Sequence, residues 1–242
     1  MSITREQRLN RSALLLRPDQ LDKLKNAHVL LLGLGGVGSY AAEAIARNGV
    51  GKLTIVDSDD VAPSNLNRQL PALASTIGRQ KTEVVAERLR DAAPDMELQV
   101  IDQFYLPETP VDIPEDCTLV LDAIDTISSK LHLAQKCTER GIPLVSCMGM
   151  GNRLNPTMIR IGDIFETSGC PLCRVMRREL RKRGIPSLRC VYSVEEALSP
   201  NAPEGAETKG GRTAPGSVAF VPSVAGLYMA YEAVRILCGL DE

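Results

Sequence analysis

The run His28-Val-Leu-Leu-Leu32 ends in Gly33-Leu34-Gly35-Gly36-Val37-Gly38, and Tyr40 to Asn48 then carry apolar positions at helical spacing. An apolar strand, a glycine turn and a helix in that order constrain the chain to an α/β unit. The alternation continues: Lys52 to Asp57 is β-branched and apolar, Lys81 to Ala92 keeps its apolar residues on one side, and Glu97 to Ile101 reads as a strand. Thr118 to Asp122 and Pro143 to Cys147 read as further strands, with a helix over Ile127 to Arg140 between them. Strands alternating with helices predict right-handed crossovers and a Rossmann-like, doubly wound α/β fold with a mainly parallel sheet.

After Gly151 the pattern changes to a C-terminal α/β extension: a strand at Met158 to Ile161, a strongly basic helix from Pro171 to Arg183 and a strand near Leu188 to Tyr192. Residues 199–216, SPNAPEGAETKGGRTAPG, hold little that could offset the entropy of ordering, which predicts a mobile crossover loop. Ser217 to Gly239 reads as an apolar helix, bent at Pro222, that packs back on the sheet. The 242 residues show no internal repeat and no second full domain. They read as one unit, with a nucleotide-binding half at about 8–151 and a substrate-side half at about 152–242.

In the glycine turn, absent side chains allow a tight bend and close approach to a phosphate, and the helix start offers free N–H groups. Asp57 ends the next strand, where a carboxylate can accept ribose hydroxyl protons. This context predicts a nucleotide site and leaves the nucleotide open. A nicotinamide cofactor needs few cations, whereas ATP brings about four negative charges to be neutralised. Arg68 and Lys81 supply cations soon after Asp57, and Asp122 and Asp125 in LDAID close the fourth strand, either of them a candidate for Mg²⁺. Each charge alone reads equally as a solvated surface group; together, at strand ends, they favour a triphosphate.

GLGGVGS, TIVDSDDVAPSNLNRQ, GRQKTEV and LDAIDT together resemble the ThiF/MoeB/HesA family, which is related to ubiquitin-activating enzymes, over about Arg8 to Gly151. The resemblance implies a carboxylate-adenylating enzyme. Gly33, Gly35, Gly36 and Gly38 would form the nucleotide turn, Asp57 would hold the ribose, and Asn65, Arg68, Gln69 and Lys81 would surround the phosphates. Arg68, Lys81 and Asp125 would carry the catalysis, with Asp125 as the Mg²⁺ ligand, and Arg11 of RLNR would reach ATP from the partner subunit of a homodimer.

MGMGNRLNPT, DIFETSGCPLCRVMRRELRKRGI, VYSVEEAL and GSVAFVPSVAGL resemble the tRNA threonylcarbamoyladenosine dehydratase subgroup over residues 148–227. That implies activation of a threonyl carboxylate on tRNA, closure of a ring by the base's own carbamoyl nitrogen and release of AMP. A sulfur-transfer protein is a further partner the subgroup allows. Some members carry a cysteine in the loop before the last helix; Ser199 to Ser217 contains none. Sulfur-carrier adenylyltransferases usually carry two CxxC pairs for zinc, and this chain has one, Cys170-Pro-Leu-Cys173, so two partly buried thiols at a helix start are expected rather than zinc.

Arg174, Arg177, Arg178 and Arg181 follow i, i+3, i+4, i+7 spacing, which makes them candidates for an RNA-binding face; a solvated face partly neutralised by Glu179 accounts for them equally. Lys209 and Arg212 in the loose loop are further candidates. A net charge of −2 excludes general nucleic-acid affinity, so any RNA contact is local. Seven scattered cysteines, no apolar run able to span a bilayer and no signal-peptide pattern predict a soluble cytoplasmic protein with reduced thiols. Three alternatives stay open at this point: an adenylyltransferase for the Gly-Gly tail of a sulfur carrier, a nicotinamide dehydrogenase and a nucleotide-sensing binding protein.

Overall fold

The computed structural model describes residues 3–199, 208–209, 212–213 and 215–240. Two short helices, α1 (Arg5–Leu9) and α2 (Pro18–Asn26), precede the first strand, β1 (His28–Leu32). The chain continues through α3 (Gly38–Arg47), β2 (Lys52–Asp57), α4 (Lys81–Ala92), β3 (Glu97–Asp102), β4 (Leu119–Asp122), α5 (Ile127–Arg140) and β5 (Leu144–Cys147). β6 (Ile159–Asp163), α6 (Pro171–Lys182), β7 (Arg189–Ser193) and α7 (Phe220–Cys238) complete the main elements. A two-residue ribbon pairs Thr208–Lys209 with Arg212–Thr213; most of the predicted loop 199–216, with the side chains of Lys209 and Arg212, lies outside the described residues.

One seven-stranded sheet has the order β3-β2-β1-β4-β5-β7-β6. All pairings are parallel except β6 with β7, which turns the far edge antiparallel. All five residues of β1 are buried, as a strand covered on both faces requires. Val29 and Leu31 face a core shared with α3, α4 and α7, while Leu30 and Leu32 face one shared with α5 and α6, the period of two of a strand.

Sequence signals account for the element boundaries. Thr4 and Gln7 form a reciprocal capping box that starts α1, and Pro18 sits in the first turn of α2; neither helix was among the sequence expectations. α5 ends on Gly141 with φ +65, where the left-handed conformation favours glycine. Pro222 is the third residue of α7, where a helix leaves the N–H unpaired anyway, so it starts the helix instead of bending it. α7 lies so close to α3 that a Cβ on Gly226 would stand 2.3 Å from the carbonyl oxygen of Val37.

Candidate nucleotide site

The strand order reverses between β1 and β4, and at their C-terminal ends the molecule opens into a cleft of ≈ 640 Å³. Gly33, Gly35, Gly36, Asp57, Asn65, Arg68, Gln69, Lys81 and Asp125 all line it. Of the expected turn glycines only Gly38 lies outside the lining, because its role is packing: a Cβ there would meet the Gly33 carbonyl oxygen at 1.7 Å. A Cβ on Gly35 would find nothing nearer than 3.8 Å, so that position faces open space.

The carboxylate of Asp57 is fixed by two backbone donors. Oδ2 accepts the N–H of Leu34 at 2.6 Å and Oδ1 that of Asp59 at 2.8 Å, which locks the end of β2 to the glycine turn. A carboxylate has about four acceptor positions, so capacity for a ligand's hydroxyls remains. Asn65 is buried and its Oδ1 accepts the Ala62 N–H, shaping the turn that presents Arg68 and Gln69. Nη1 of Arg68 donates to the carbonyl of Ser64 at 2.7 Å and to Oδ1 of Asn67 at 3.0 Å. Gln69 is buried, and its Oε1 has no hydrogen-bond partner among the described residues. Lys81 is 4% exposed, and its Nζ lies 2.7 Å from Oδ2 of Asp59.

The two candidate acids of LDAID separate. Asp122 is fully buried, its Oδ2 3.0 Å from Nζ of Lys130 and accepting from Oγ of Ser146 at 2.6 Å, while its Oδ1 accepts the Ile124 N–H. It is thus a structural anion. Asp125, three residues on, is exposed at the cleft, where Oδ1 accepts from the Thr126 hydroxyl at 3.3 Å. Beyond Asp57 a second, apolar recess of ≈ 60 Å³ is walled by Leu32, Val56, Phe104, Tyr105 and Ile124.

Other predicted residues lie elsewhere. Arg11 is exposed in the N-terminal segment and does not line the cleft, whereas Arg5 and Arg8 pair with Asp95 at 2.8 Å each. On α6 the arginines divide. Arg177 donates to the carbonyl of Thr167 at 2.8 Å, Arg181 stacks 5.1 Å from the centroid of Phe165, and Arg178 pairs with Glu179 at 3.0 Å, leaving Arg174 the exposed member without such a contact among the described residues. Glu179 also takes Lys182 and Arg183, and these three cations hold its carboxyl down at about 2. Cys170 and Cys173 are buried free thiols at the start of α6; their mutual hydrogen bond draws the Cys170 thiol down and pushes the Cys173 thiol up. Among the described residues no group of three or more side chains has the ligands for a metal ion, and no helix is long and apolar enough to cross a membrane.

Three residues escaped the sequence reading: Asp59, Lys130 and Arg153. Arg153 is buried, donates through Nη1 to the carbonyls of Gly149 and Gly151 at 2.8 and 3.0 Å, and so shapes the loop leaving β5. Its only signal is its place in NRLNP directly after the cleft-lining Gly151.

The ThiF family model matches residues 9–242 of this chain. The chain belongs to the ThiF family. This ThiF-family chain is 40% identical over 237 residues to a tRNA threonylcarbamoyladenosine dehydratase of Bacillus subtilis (strain 168), covering 94% of this chain and 93% of the relative. The Escherichia coli tRNA N6-threonylcarbamoyladenosine dehydratase TcdA, solved in complex with ATP, superposes with a TM-score of 0.84 at 31% identity, covering 99% of this chain and 98% of that one. The sulfur carrier protein ThiS adenylyltransferase of E. coli (strain K12) is 30% identical over 225 residues, covering 92% of this chain and 77% of that relative. The sheet that carries the cleft is therefore the family's α/β fold, as the glycine turn and the alternation of strands and helices led one to expect.

Proposed function

We propose that this chain is an ATP-dependent tRNA threonylcarbamoyladenosine dehydratase of the cytoplasm. The observation that carries the reading is the convergence of Asp57, Arg68, Gln69, Lys81 and Asp125 on one cleft at the strand switch point. The greater identity to the dehydratase of B. subtilis than to the ThiS adenylyltransferase supports tRNA over a sulfur-carrier tail as the substrate.

The glycine turn and the start of α3 receive the nucleotide's phosphates, Asp57 takes ribose hydroxyls, and the recess beside Phe104 and Ile124 takes the purine. Arg68 and Lys81 face the phosphates, where cations stabilise the charge that builds on departing pyrophosphate. Asp125 fits Mg²⁺, since that ion is commonly held by one or two carboxylates with waters and substrate phosphates, and Asp122 is already neutralised by Lys130. When bound, the ion neutralises phosphate charge. Asp59 holds the Lys81 side chain toward the cleft.

The threonyl carboxylate, ionised at neutral pH, attacks the α-phosphorus; a P–O bond forms, and the bond to pyrophosphate breaks. The carbamoyl nitrogen then attacks the acyl carbon, loses its proton and expels AMP. One substrate oxygen leaves in AMP, so the nucleoside is lighter by one water. Ring closure within one molecule gains from effective molarity and needs no thiol carrier.

Arg174 is the residue on α6 best placed to meet RNA phosphates. The apolar side chains that α7 leaves exposed, Phe220, Leu227, Tyr228 and Tyr231, support a homodimer in which a second copy would cover them and Arg11 would be offered across the interface. The reading is tested by mass spectrometry of nucleosides from threonylcarbamoylated tRNA incubated with the protein, with and without ATP. An ATP-dependent loss of one water supports it; an unchanged nucleoside alongside ATP turnover with a Gly-Gly carrier peptide refutes it.

A further inference from the structure

Asn152 has φ +58 and is the sole non-glycine residue with a positive φ among the described residues. Asparagine tolerates that conformation better than most residues, yet a bulky chain of contacts must usually hold it there. Here three hydrogen bonds do so. The Asn152 N–H donates to the carbonyl of Gly216 at 2.7 Å, its Oδ1 accepts the Gly216 N–H at 2.6 Å, and its own carbonyl accepts the Leu198 N–H at 2.8 Å. One residue thus clasps two chain segments that are distant in sequence.

The clasp adjoins the cleft that Arg68 lines. Gly151, immediately before it, lines the cleft with Pro215 and Ser217, and a Cβ on Gly151 would meet Pro215 at 2.7 Å. The carbonyl of Ser217 accepts from Nδ2 of Asn67 at 2.9 Å, and Oδ1 of the same Asn67 accepts from Nη1 of Arg68 at 3.0 Å. An unbroken path of covalent and hydrogen bonds therefore runs from Asn152 through Gly216, Ser217 and Asn67 to the Arg68 guanidinium. Its geometry has a direction: Asn67 uses both ends of its amide, the donor toward Ser217 and the acceptor toward Arg68, so the position of Ser217 fixes how the amide is turned.

We propose that Asn152 and Asn67 are positioning residues that hold the Arg68 guanidinium at the orientation a bound triphosphate needs, the clasp on Gly216 setting the place of Ser217 and Ser217 that of Asn67. The inference rests on the nucleotide reading of the cleft. It extends that reading to residues that touch no phosphate, and it ties the loop after β5 and the start of the α7 segment to nucleotide affinity.

The test is direct binding of ATP with magnesium to the full chain, without tRNA, by titration calorimetry. Asn152→Gly keeps the permitted φ and removes the side-chain acceptor; Asn67→Ala, at an exposed position, removes both amide contacts and serves where Asn152→Gly fails to fold. Each weakens ATP binding about threefold to tenfold, the scale of one or two lost hydrogen bonds, with the melting temperature of Asn67→Ala close to that of the parent. The deciding comparison is a cycle with Arg68→Ala. If Asn67 acts through Arg68, the double variant Asn67→Ala/Arg68→Ala binds no more weakly than Arg68→Ala alone. Losses that add in full, or unchanged affinity in Asn67→Ala, overturn the positioning role. A parent chain that binds no ATP overturns instead the nucleotide reading beneath it, so the two failures are distinct.

Discussion

Nζ of Lys81 lies 2.7 Å from Oδ2 of Asp59, with the lysine buried and the aspartate exposed at the rim of the cleft. A buried ammonium at the start of α4 is costly to desolvate unless paired, and Asp59 supplies the pair from the loop after β2. On the proposed reading, an incoming triphosphate would compete with Asp59 for that charge, and the lysine would have a partner before and after the nucleotide binds. The contact of Asn67 with Arg68 is a second such arrangement, a polar neighbour beside a cation of the cleft.

Arg68→Ala and Lys81→Ala each remove a cation from the cleft. The KM for ATP rises, or kcat falls, by about tenfold or more in steady-state assays, in keeping with charge-assisted contacts. Asp59→Ala leaves the buried Lys81 without its ion-pair partner, so it lowers the melting temperature more than Lys81→Ala/Asp59→Ala does. Unchanged turnover in both single variants would remove the phosphate assignment.

The glycines of the turn separate by what a methyl group meets. Gly38→Ala drives a Cβ onto the Gly33 carbonyl oxygen and destabilises the fold, read as a lowered melting temperature. Gly35→Ala, with nothing nearer than 3.8 Å, leaves the melting temperature in place and weakens ATP binding by obstructing the phosphates.

Lys130→Met breaks the buried pair with Asp122 and leaves an uncompensated carboxylate inside the protein. The expected cost is about 3–5 kcal/mol. Thermal unfolding moves down by about 10 °C on that scale. Asp122→Asn combined with Lys130→Met costs less than Lys130→Met alone, because no buried charge remains.

At the N-terminus, burial works to raise the Asp95 carboxyl, and the guanidiniums of Arg8 and Arg5 outweigh it and hold the carboxyl below its ordinary value. A carboxyl depressed on folding stabilises the protein above its unfolded value of about 3.9 and loses that contribution as pH falls through the folded one. Melting temperatures measured down the pH scale therefore show the parent ahead of Asp95→Asn near neutrality, with the gap closing in acid.

On α6, Arg174→Gln raises the KM for tRNA and lowers the salt slope of binding by about one, as for one phosphate contact. Arg177→Gln instead lowers stability, since Arg177 is tied to the carbonyl of Thr167. Equal effects of the two on tRNA KM would contradict this division.

The strands were legible because a sheet covered on both faces needs unbroken apolar runs, and HVLLL, KLTIVD and LVLD supply them. The place of the cleft was legible in part for the same reason, since Gly33, Asp57 and Asp125 sit at or just past the ends of those runs. What the sequence left open were choices made by residues far along the chain. Asp122 and Asp125 stand at one strand end, and only Lys130 and Ser146, brought in by α5 and β5, decide which is buried. The arginines of α6 share a helical face by spacing, yet Thr167, Phe165 and Glu179 take three of them. α1 escaped notice although Thr4-Arg5-Glu6-Gln7 carries its capping box, because its five residues show no apolar period.

The stoichiometry of the reaction tests the central claim most directly. Threonylcarbamoylated tRNA, magnesium and ATP labelled in the α-phosphate are incubated with the protein, and AMP is counted against dehydrated nucleoside. The account predicts one AMP for each nucleoside that has lost water, and neither product from tRNA lacking the threonylcarbamoyl group. Release of ADP in place of AMP, or AMP formed while the nucleoside keeps its mass, would contradict it.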